Sequence, residues 1–237
     1  MIYRSNLTCP DLTPHFKHLF CTVGPFGHDV PHDWADKADD DPYFGIFKRC
    51  GLWTHDEAAI LWNIAQRLGG PWVDIEAHTG WTSSHISAGT VEVVYMVDPE
   101  FGYRPFYDRA RENTAALIER HLNNMTSAQM FGTYKHFQCS GFCIDGDHSR
   151  PIPLQDAQGA HKHLAENGVI VFHDFIGDPV QEAVAWLIQQ GYKYRIYTTP
   201  QMVACCWRGD FQPPEHVPDP AIAAVQPFDW NKEEWWK

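Results

Sequence analysis

The sequence predicts an α/β protein built on a doubly wound, mostly parallel sheet with a C-terminal antiparallel strand. Helix-like and strand-like segments alternate from residue 55 to residue 190, which is the pattern of a parallel sheet with crossover helices. The apolar run 169–172 has no polar interruption, as expected of a strand that is covered on both faces. Two closing strands, 193–197 and 202–207, predict a hairpin-like end.

The first element that the sequence predicts is a helix from residue 55 to about Leu68. A capping box starts it, in which Thr54 is the N-cap and Glu57 reaches back. The segment between residue 122 and Asp145 is short for a complete strand, helix and strand, so we expect one βα unit there to be trimmed or irregular. The other predicted elements are strand 72–75, strand 91–97, helix 106–122, one or two short strands in 137–144, helix 154–167 and a helix that begins at Asp178.

Composition and charge exclude several classes of protein. The net charge of -12 argues against a nucleic-acid partner, because binding to phosphates needs a basic surface. No apolar run approaches the length that a membrane span requires, and residues 1–6 lack the apolar core of a signal peptide. Seven cysteines, an odd number, are expected to be reduced, with the adjacent Cys205 and Cys206 on opposite faces of one strand. We therefore expect a cytoplasmic protein without a membrane partner.

Two irregular segments flank the predicted domain. Residues 1–51 form an N-terminal arm with five prolines and a stretch rich in histidine and aspartate, which is either a solvated loop or a lid over the site. Residues 209–237 form a tail rich in proline and tryptophan, which we expect to pack on the parent domain or on a neighbouring subunit, or less often to bind a ligand. Both segments are candidates for contacts within a homo-oligomer.

The stretch around residues 72–83 predicts a ligand site. A buried strand carrying Asp74 leads into a turn with Gly80, and Thr82 opens a short helix. This strand–turn–helix geometry presents backbone N–H groups to a ligand. The next strand ends at Asp98, about twenty residues further on, where an acid can accept hydrogen bonds from ribose hydroxyls.

Acidic residues follow each of the central predicted strands. Carboxyl ends of parallel strands lie on one rim of a sheet, so these residues should cluster there. An adenosine-containing ligand together with a divalent cation would require such carboxylates. The four residues are Asp74, Asp98, Asp145 and Asp174.

Four motifs, in this order, resemble the class I S-adenosylmethionine-dependent methyltransferases. They are Val-Asp-Ile-Glu-Ala-His-Thr-Gly-Trp-Thr (73–82), Val-Asp-Pro-Glu (97–100), Cys-Ile-Asp-Gly-Asp-His-Ser (143–149) and Gly-Val-Ile-Val-Phe-His-Asp-Phe (168–175). The nearest branch is that of small-molecule and sugar O-methyltransferases with an Ile-Asp-Gly-Asp-His-Ser motif. The resemblance covers about residues 52–208 and implies a Rossmann-like domain.

The resemblance also implies S-adenosylmethionine as cofactor and a hydroxyl of a small molecule or sugar as acceptor. Asp98 would hold the ribose hydroxyls, and the loop after the first strand would hold the methionine part of the donor. The family usually has glycine at the position of Glu76. A carboxylate there would either pair with the positive charge of the donor or block its pocket. The implied cofactor residues are Asp74, Glu76, Ala77, His78, Gly80, Thr82, Asp98 and Pro99.

In the metal-dependent members of the family, the metal positions map onto Asp145, His173 and Asp174. The family's general base maps onto His148, so we assign His148 and Asp145 to catalysis. Magnesium, manganese or calcium suits the carboxylates, and manganese or iron is favoured if His173 is a ligand. The alternatives are a hydrogen-bonded pair of His173 and Asp174 that shapes a loop, and a loop histidine at His148 without a proton role.

Two other classes of function remain open at this level. The first is a non-catalytic adenosine-binding or scaffold protein, which the unusual Glu76 supports. The second is a metal-dependent hydrolase or oxygenase that uses His173 and Asp174.

Overall fold

The computed structural model describes residues 5–12, 53–115, 117, 119–232 and 234–237. The strands are β1 (Trp72–Ile75), β2 (Val94–Val97), β3 (Arg120–Asn123), β4 (Cys139–Ile144), β5 (Leu164–Phe172), β6 (Lys193–Tyr197) and β7 (Val203–Trp207). The α-helices are α1 (His55–Leu68), α2 (Trp81–Thr90), α3 (Arg104–Asn113), α4 (Ser127–Thr133), α5 (Ile152–His163), α6 (Asp178–Gln189) and α7 (Pro220–Val225). A 3-10 helix spans Pro99–Gly102.

The strands of the described chain form one sheet in the order β3-β2-β1-β4-β5-β7-β6. The neighbours from β3 to β5 are parallel, whereas β7 runs antiparallel to both β5 and β6. This topology confirms the predicted fold class, including its C-terminal antiparallel strand. The strand order reverses between β1 and β4, and ligands bind at such a switch point, outside the carboxyl ends of the strands.

Alternating side chains of the strands build a core on each face of the sheet. Trp72 and Cys205 join the apolar side chains of α1, α2 and α3 on one face. Val73 and Cys206 join those of α4, α5 and α6 on the other. The opposite placement of the two adjacent cysteines confirms the prediction, and it follows from the two-residue period of a strand.

The predicted capping box at the start of α1 is confirmed. The Thr54 hydroxyl accepts a hydrogen bond from the Glu57 backbone N–H at 3.2 Å, and the Glu57 carboxylate accepts one from the Thr54 backbone N–H at 2.8 Å. Both groups are buried. The box fixes the entry of the chain into the sheet, because α1 leads directly into β1.

The end predicted for the helix over residues 106–122 is wrong. Helix α3 stops at Asn113, where the Asn113 amide donates to the Thr79 carbonyl and the Thr114 hydroxyl donates to the Ala110 carbonyl. Strand β3 then pairs with β2. Although short, the unit between residue 122 and Asp145 is complete rather than trimmed, because α4 occupies seven residues between β3 and β4.

The helix predicted over residues 154–167 also ends early. The chain becomes β5 at Leu164, which pairs with Cys139 of β4. The Arg208 guanidinium donates to the carbonyls of Leu164 and Ala165, so these carbonyls are satisfied without a further helical turn. The start predicted for α6, at Asp178, is confirmed.

The C-terminal tail packs on the parent domain. The rings of Trp230 and Trp235 each lie 5.1 Å from the ring of Phe175. The Asn231 amide accepts from the N–H of Ile196 and donates to its carbonyl, both at 2.8 Å, and so covers the edge strand β6. Most of the predicted arm 1–51 lies outside the described residues. Within those residues, no helix is both long and apolar enough to cross a bilayer.

Replacing Gly141 with alanine is expected to lower the free energy of unfolding by about 3 kcal/mol, because overpacking a rigid core forces its neighbours to move. A methyl group at Gly141 in β4 would overlap the indole of Trp72, which is fully buried in the neighbouring strand. Urea unfolding measures the effect. The control is Gly132→Ala in α4, where a methyl group meets no atom within 4 Å and helix propensity predicts a gain of about 0.5–1 kcal/mol. Equal stabilities for the two variants would contradict the prediction.

Candidate active site

The carboxyl ends of β1, β2, β4 and β5 form a rim that carries most of the predicted site residues. Three of these residues have left-handed backbones although none is glycine: Glu76 (φ 57°), His78 (φ 47°) and Asp174 (φ 51°). L-residues rarely adopt this conformation, and backbone strain of this kind concentrates at functional sites. Its presence at the ends of both β1 and β5 makes this rim the candidate functional edge of the sheet.

Asp74 ties the end of β1 to the first turn of α2. Its Oδ2 accepts hydrogen bonds from the hydroxyls of Thr82, at 2.6 Å, and of Ser83. Burial raises the pKa of Asp74 to about 6, although these hydrogen bonds oppose the shift. Glycine is required at position 80, in the turn between Asp74 and Thr82, because its φ of 92° is left-handed and a methyl group there would overlap Thr114. The Asp74 Oδ2 and the Thr82 hydroxyl therefore pair with each other and shape the loop from inside.

Asp98 is held rigidly at the end of β2. Its Oδ2 accepts from the backbone N–H of His78 at 2.9 Å, and its Oδ1 accepts from that of Glu100 at 2.7 Å. Burial raises the pKa of Asp98 to about 6 against the effect of these hydrogen bonds. Each carboxylate oxygen has a second lone pair, so the fixed group can still accept hydrogen bonds from two ribose hydroxyls. Pro99 opens the 3-10 helix that follows.

Glu76 lies across the crevice between β1 and β4. Its Oε1 accepts from the backbone N–H of Asp147 at 3.2 Å. Burial raises its pKa to about 7, and the nearby charge of Asp98 adds to the shift. Ala77 is buried behind the loop, and the ring of His78 packs edge-on against Phe106 with 4.9 Å between the centroids.

A second cluster of side chains lies at the ends of β4 and β5. Asp145, His148 and Asp174 each offer an oxygen or nitrogen atom, and these atoms all lie within 4.8 Å of one another. The His148 Nε2 is 3.4 Å from the Asp174 Oδ2 and 3.9 Å from the Asp145 Oδ1. Two carboxylates and one imidazole at this spacing fit a divalent cation.

His173 lies behind this cluster, with its side chain fully buried. Its Nδ1 is 3.2 Å from both the Asp145 Oδ1 and the Asp174 Oδ2, and its Nε2 is 3.5 Å from the Glu57 Oε2. Burial alone would lower the pKa of His173, but the carboxylates of Asp145 and Glu57 outweigh it and raise the pKa well above its usual value. This geometry favours the alternative of a hydrogen-bonded histidine over the predicted metal ligand.

Sequence reasoning missed two residues of the site, Trp53 and Glu57. The Trp53 Nε1–H donates to the Asp145 Oδ2 at 2.7 Å, and its indole stacks on the His173 ring at 4.4 Å. The local sequence indicates only a capping-box role for Glu57. Their position immediately around the N-cap Thr54 gives no local sign of this role, because the contacts join residues far apart in the chain.

Residues 76–175 match a family model described as a methyltransferase domain. Solved structures share the architecture. A methyltransferase from Geobacter sulfurreducens has a TM-score of 0.57 at 14% identity, over 74% of this chain and 92% of that one. A precorrin-6y C5,15-methyltransferase from Geobacter metallireducens has a TM-score of 0.53 at 17% identity, over 67% of this chain and 90% of that one.

The fold is that of the class I methyltransferases. A third similar structure, TrmN from Thermus thermophilus, has a TM-score of 0.53 at 16% identity, over 67% of this chain and 50% of that one. No curated protein matches the sequence. The family match and the methyltransferase fold together support methyl transfer with S-adenosylmethionine as the donor. The names of these similar proteins differ, so the fold leaves the acceptor open.

Proposed function

We propose that this protein is an S-adenosylmethionine-dependent O-methyltransferase that acts on a hydroxyl group of a small molecule or sugar. The observation that carries the proposal is the cluster of Asp145, His148 and Asp174 beside the crevice at the switch point. The hydrogen bond from Asp147 to Glu76 joins the loop of this cluster to the end of β1. The cluster is therefore adjacent to the crevice in which a class I methyltransferase binds its donor.

The donor site fits the chemistry of S-adenosylmethionine. The fixed carboxylate of Asp98 suits a ribose diol, and Glu76 supplies a carboxylate toward a ligand that carries a sulfonium and an ammonium group. The net charge of -12 supports a small acceptor over a nucleic acid.

We further propose that Asp145 and Asp174 hold a divalent cation and that His148 takes the proton of the acceptor. A bound cation would stabilise negative charge on the acceptor oxygen. Buried His173 keeps the two carboxylates in position by contacting one oxygen of each. His148, on the exposed side of the cluster, would accept a proton from an incoming hydroxyl.

Titration of the metal-stripped protein with Mn²⁺ is expected to show one site, which either Asp145→Asn or Asp174→Asn weakens at least about tenfold because each removes a charged ligand. Electron paramagnetic resonance of free Mn²⁺ measures the binding. The control is Asp178→Asn at the start of α6, outside the cluster.

His148→Ala separates the two roles of the imidazole. If His148 takes the proton, the variant keeps its Mn²⁺ affinity within about threefold of the wild type, whereas loss of a ligand costs tenfold or more. A loss equal to that of the aspartate variants would make His148 a ligand and overturn its assignment as the base. Unchanged Mn²⁺ affinity in both aspartate variants would overturn the cation site.

Calorimetric titration with S-adenosylhomocysteine, with and without Mg²⁺ after chelator treatment, tests the donor class directly. Micromolar binding is expected under both conditions. Absence of binding in both would contradict the proposed methyltransferase. It would favour a metal-dependent hydrolase at the Asp145 cluster instead.

A further inference from the structure

Glu76 occupies the first position after β1 in a conformation that suits glycine better. Its φ of 57° is left-handed, and nothing in the local sequence requires a carboxylate there. Strain at such a position persists only where the surrounding structure or a function maintains it. A long acidic side chain at the first position after β1 therefore indicates a role in the crevice.

The side chain of Glu76 spans the gap between two strands. Its Oε1 reaches the Asp147 N–H, and the same oxygen lies 3.2 Å from the position that a Cβ on Gly146 would occupy. Gly146 thus leaves the space that the carboxylate fills. The group is held over the crevice between β1 and β4 instead of turning away to solvent.

The charges that raise the pKa of Glu76 are all carboxylates. Burial is the largest cause, and Asp98, Asp145 and Asp156 add to it. A cationic ligand entering this crevice would relieve the repulsion among these groups, whereas a neutral ligand would not. The electrostatic preference of the crevice is therefore for a positive charge.

The proposed reaction changes the charge of its donor. The acceptor oxygen forms a bond to the methyl carbon, the sulfur–methyl bond breaks, and its electron pair remains on sulfur. The hydroxyl proton leaves to the base. The positively charged sulfonium thereby becomes a neutral thioether, while the ammonium and carboxylate groups of the methionine part are unchanged.

We propose that Glu76 distinguishes the donor from the demethylated product by the positive charge on sulfur. This inference rests on the proposed function. Its chemical consequence is that the carboxylate binds the sulfonium compound more tightly than the thioether, so that methyl transfer itself weakens the hold on the product. Glu76 is accordingly a specificity residue for S-adenosylmethionine over S-adenosylhomocysteine.

The test is calorimetric binding of both compounds to the full chain and to Glu76→Gln. The expected result is a loss of about tenfold in affinity for S-adenosylmethionine and a change below about twofold for S-adenosylhomocysteine, because the amide keeps the shape and removes the charge. Glu119→Gln, the same substitution at the exposed residue immediately before β3, is the control and should change neither affinity.

Glu76→Gly provides a second variant, since glycine tolerates the left-handed backbone and folding is not at risk there. It should show the same selective loss, with thermal unfolding as the check on structure. An equal loss for both compounds would place Glu76 on their shared part, and tighter binding of both would show that the side chain obstructs the pocket. Either result would overturn the inference. Failure of the wild-type protein to bind either compound would instead overturn the proposed function.

Discussion

Glu57→Ala is expected to lower the free energy of unfolding by about 3–5 kcal/mol, the cost of breaking a buried ion pair by removing one of its members. Glu57 is fully buried, and its carboxylate faces the Nε2 of His173 at 3.5 Å. It also accepts from the backbone N–H groups of Thr54 and Gln201. Burial works to raise the pKa of Glu57, but His173 and the hydrogen bond from the Thr54 backbone hold it below its usual value. Removal of the side chain leaves the two backbone N–H groups unsatisfied and takes away one of the three carboxylates that face His173.

Glu57→Gln separates the charge from the cap. Glutamine at this helix position also completes a capping box, so this variant keeps the hydrogen bond to Thr54 and loses only the charge opposite His173. Urea unfolding at pH 7 should rank the variants as wild type, Gln, then Ala. An alanine variant within about 1 kcal/mol of the wild type would exclude the buried network, since an ordinary surface change costs no more than that.

Asp98→Asn is expected to weaken binding of S-adenosylhomocysteine by about 100-fold, because hydrogen bonds to a charged acceptor contribute about 1.5–3 kcal/mol each. The carboxylate is fixed by the backbone of His78 and Glu100, so it meets the ribose without a further ordering cost. Calorimetry measures the affinity. Asp108→Asn, the same change in an exposed ion pair with Arg104, is the control and should have no effect.

A second ligand shows whether Asp98 acts through the ribose. The 2′-deoxy analogue of S-adenosylhomocysteine should bind the wild-type protein more weakly than the parent compound. In Asp98→Asn the two compounds should bind almost equally, because the partner of the missing hydroxyl has already been removed. If the variant still discriminates as the wild type does, the ribose contact lies elsewhere and Asp98 serves only the loop.

The sequence was most informative where a local pattern has a local cause. The capping box of Thr54 and Glu57, the strand 72–75 and the start of α6 at Asp178 were all predicted correctly. Helix ends were predicted less well. Strand β3, Arg-His-Leu-Asn, contains none of the β-branched residues, Phe, Tyr or Trp that favour strands, so its pairing with β2 makes it a strand.

At the candidate site, too, the sequence predicts the features that depend on element order but not the contacts of individual side chains. The motif order predicted that acids would follow β1, β2, β4 and β5 on one rim, because parallel strands share the direction of their carboxyl ends. It did not predict which histidine would face outward. His148 joins Asp145 and Asp174 at the surface, while His173 is enclosed by Trp53 and Glu57.

The fold class, the rim of acidic residues and the likeness to methyltransferases can therefore be predicted from the sequence, since they depend on short-range periodicity and on element order. The tertiary structure alone decided the partners of each side chain. Trp53 and Asp145 lie 92 residues apart and meet only when α1 packs beside the ends of β4 and β5. Such contacts arise from the packing of whole elements, which no local pattern encodes.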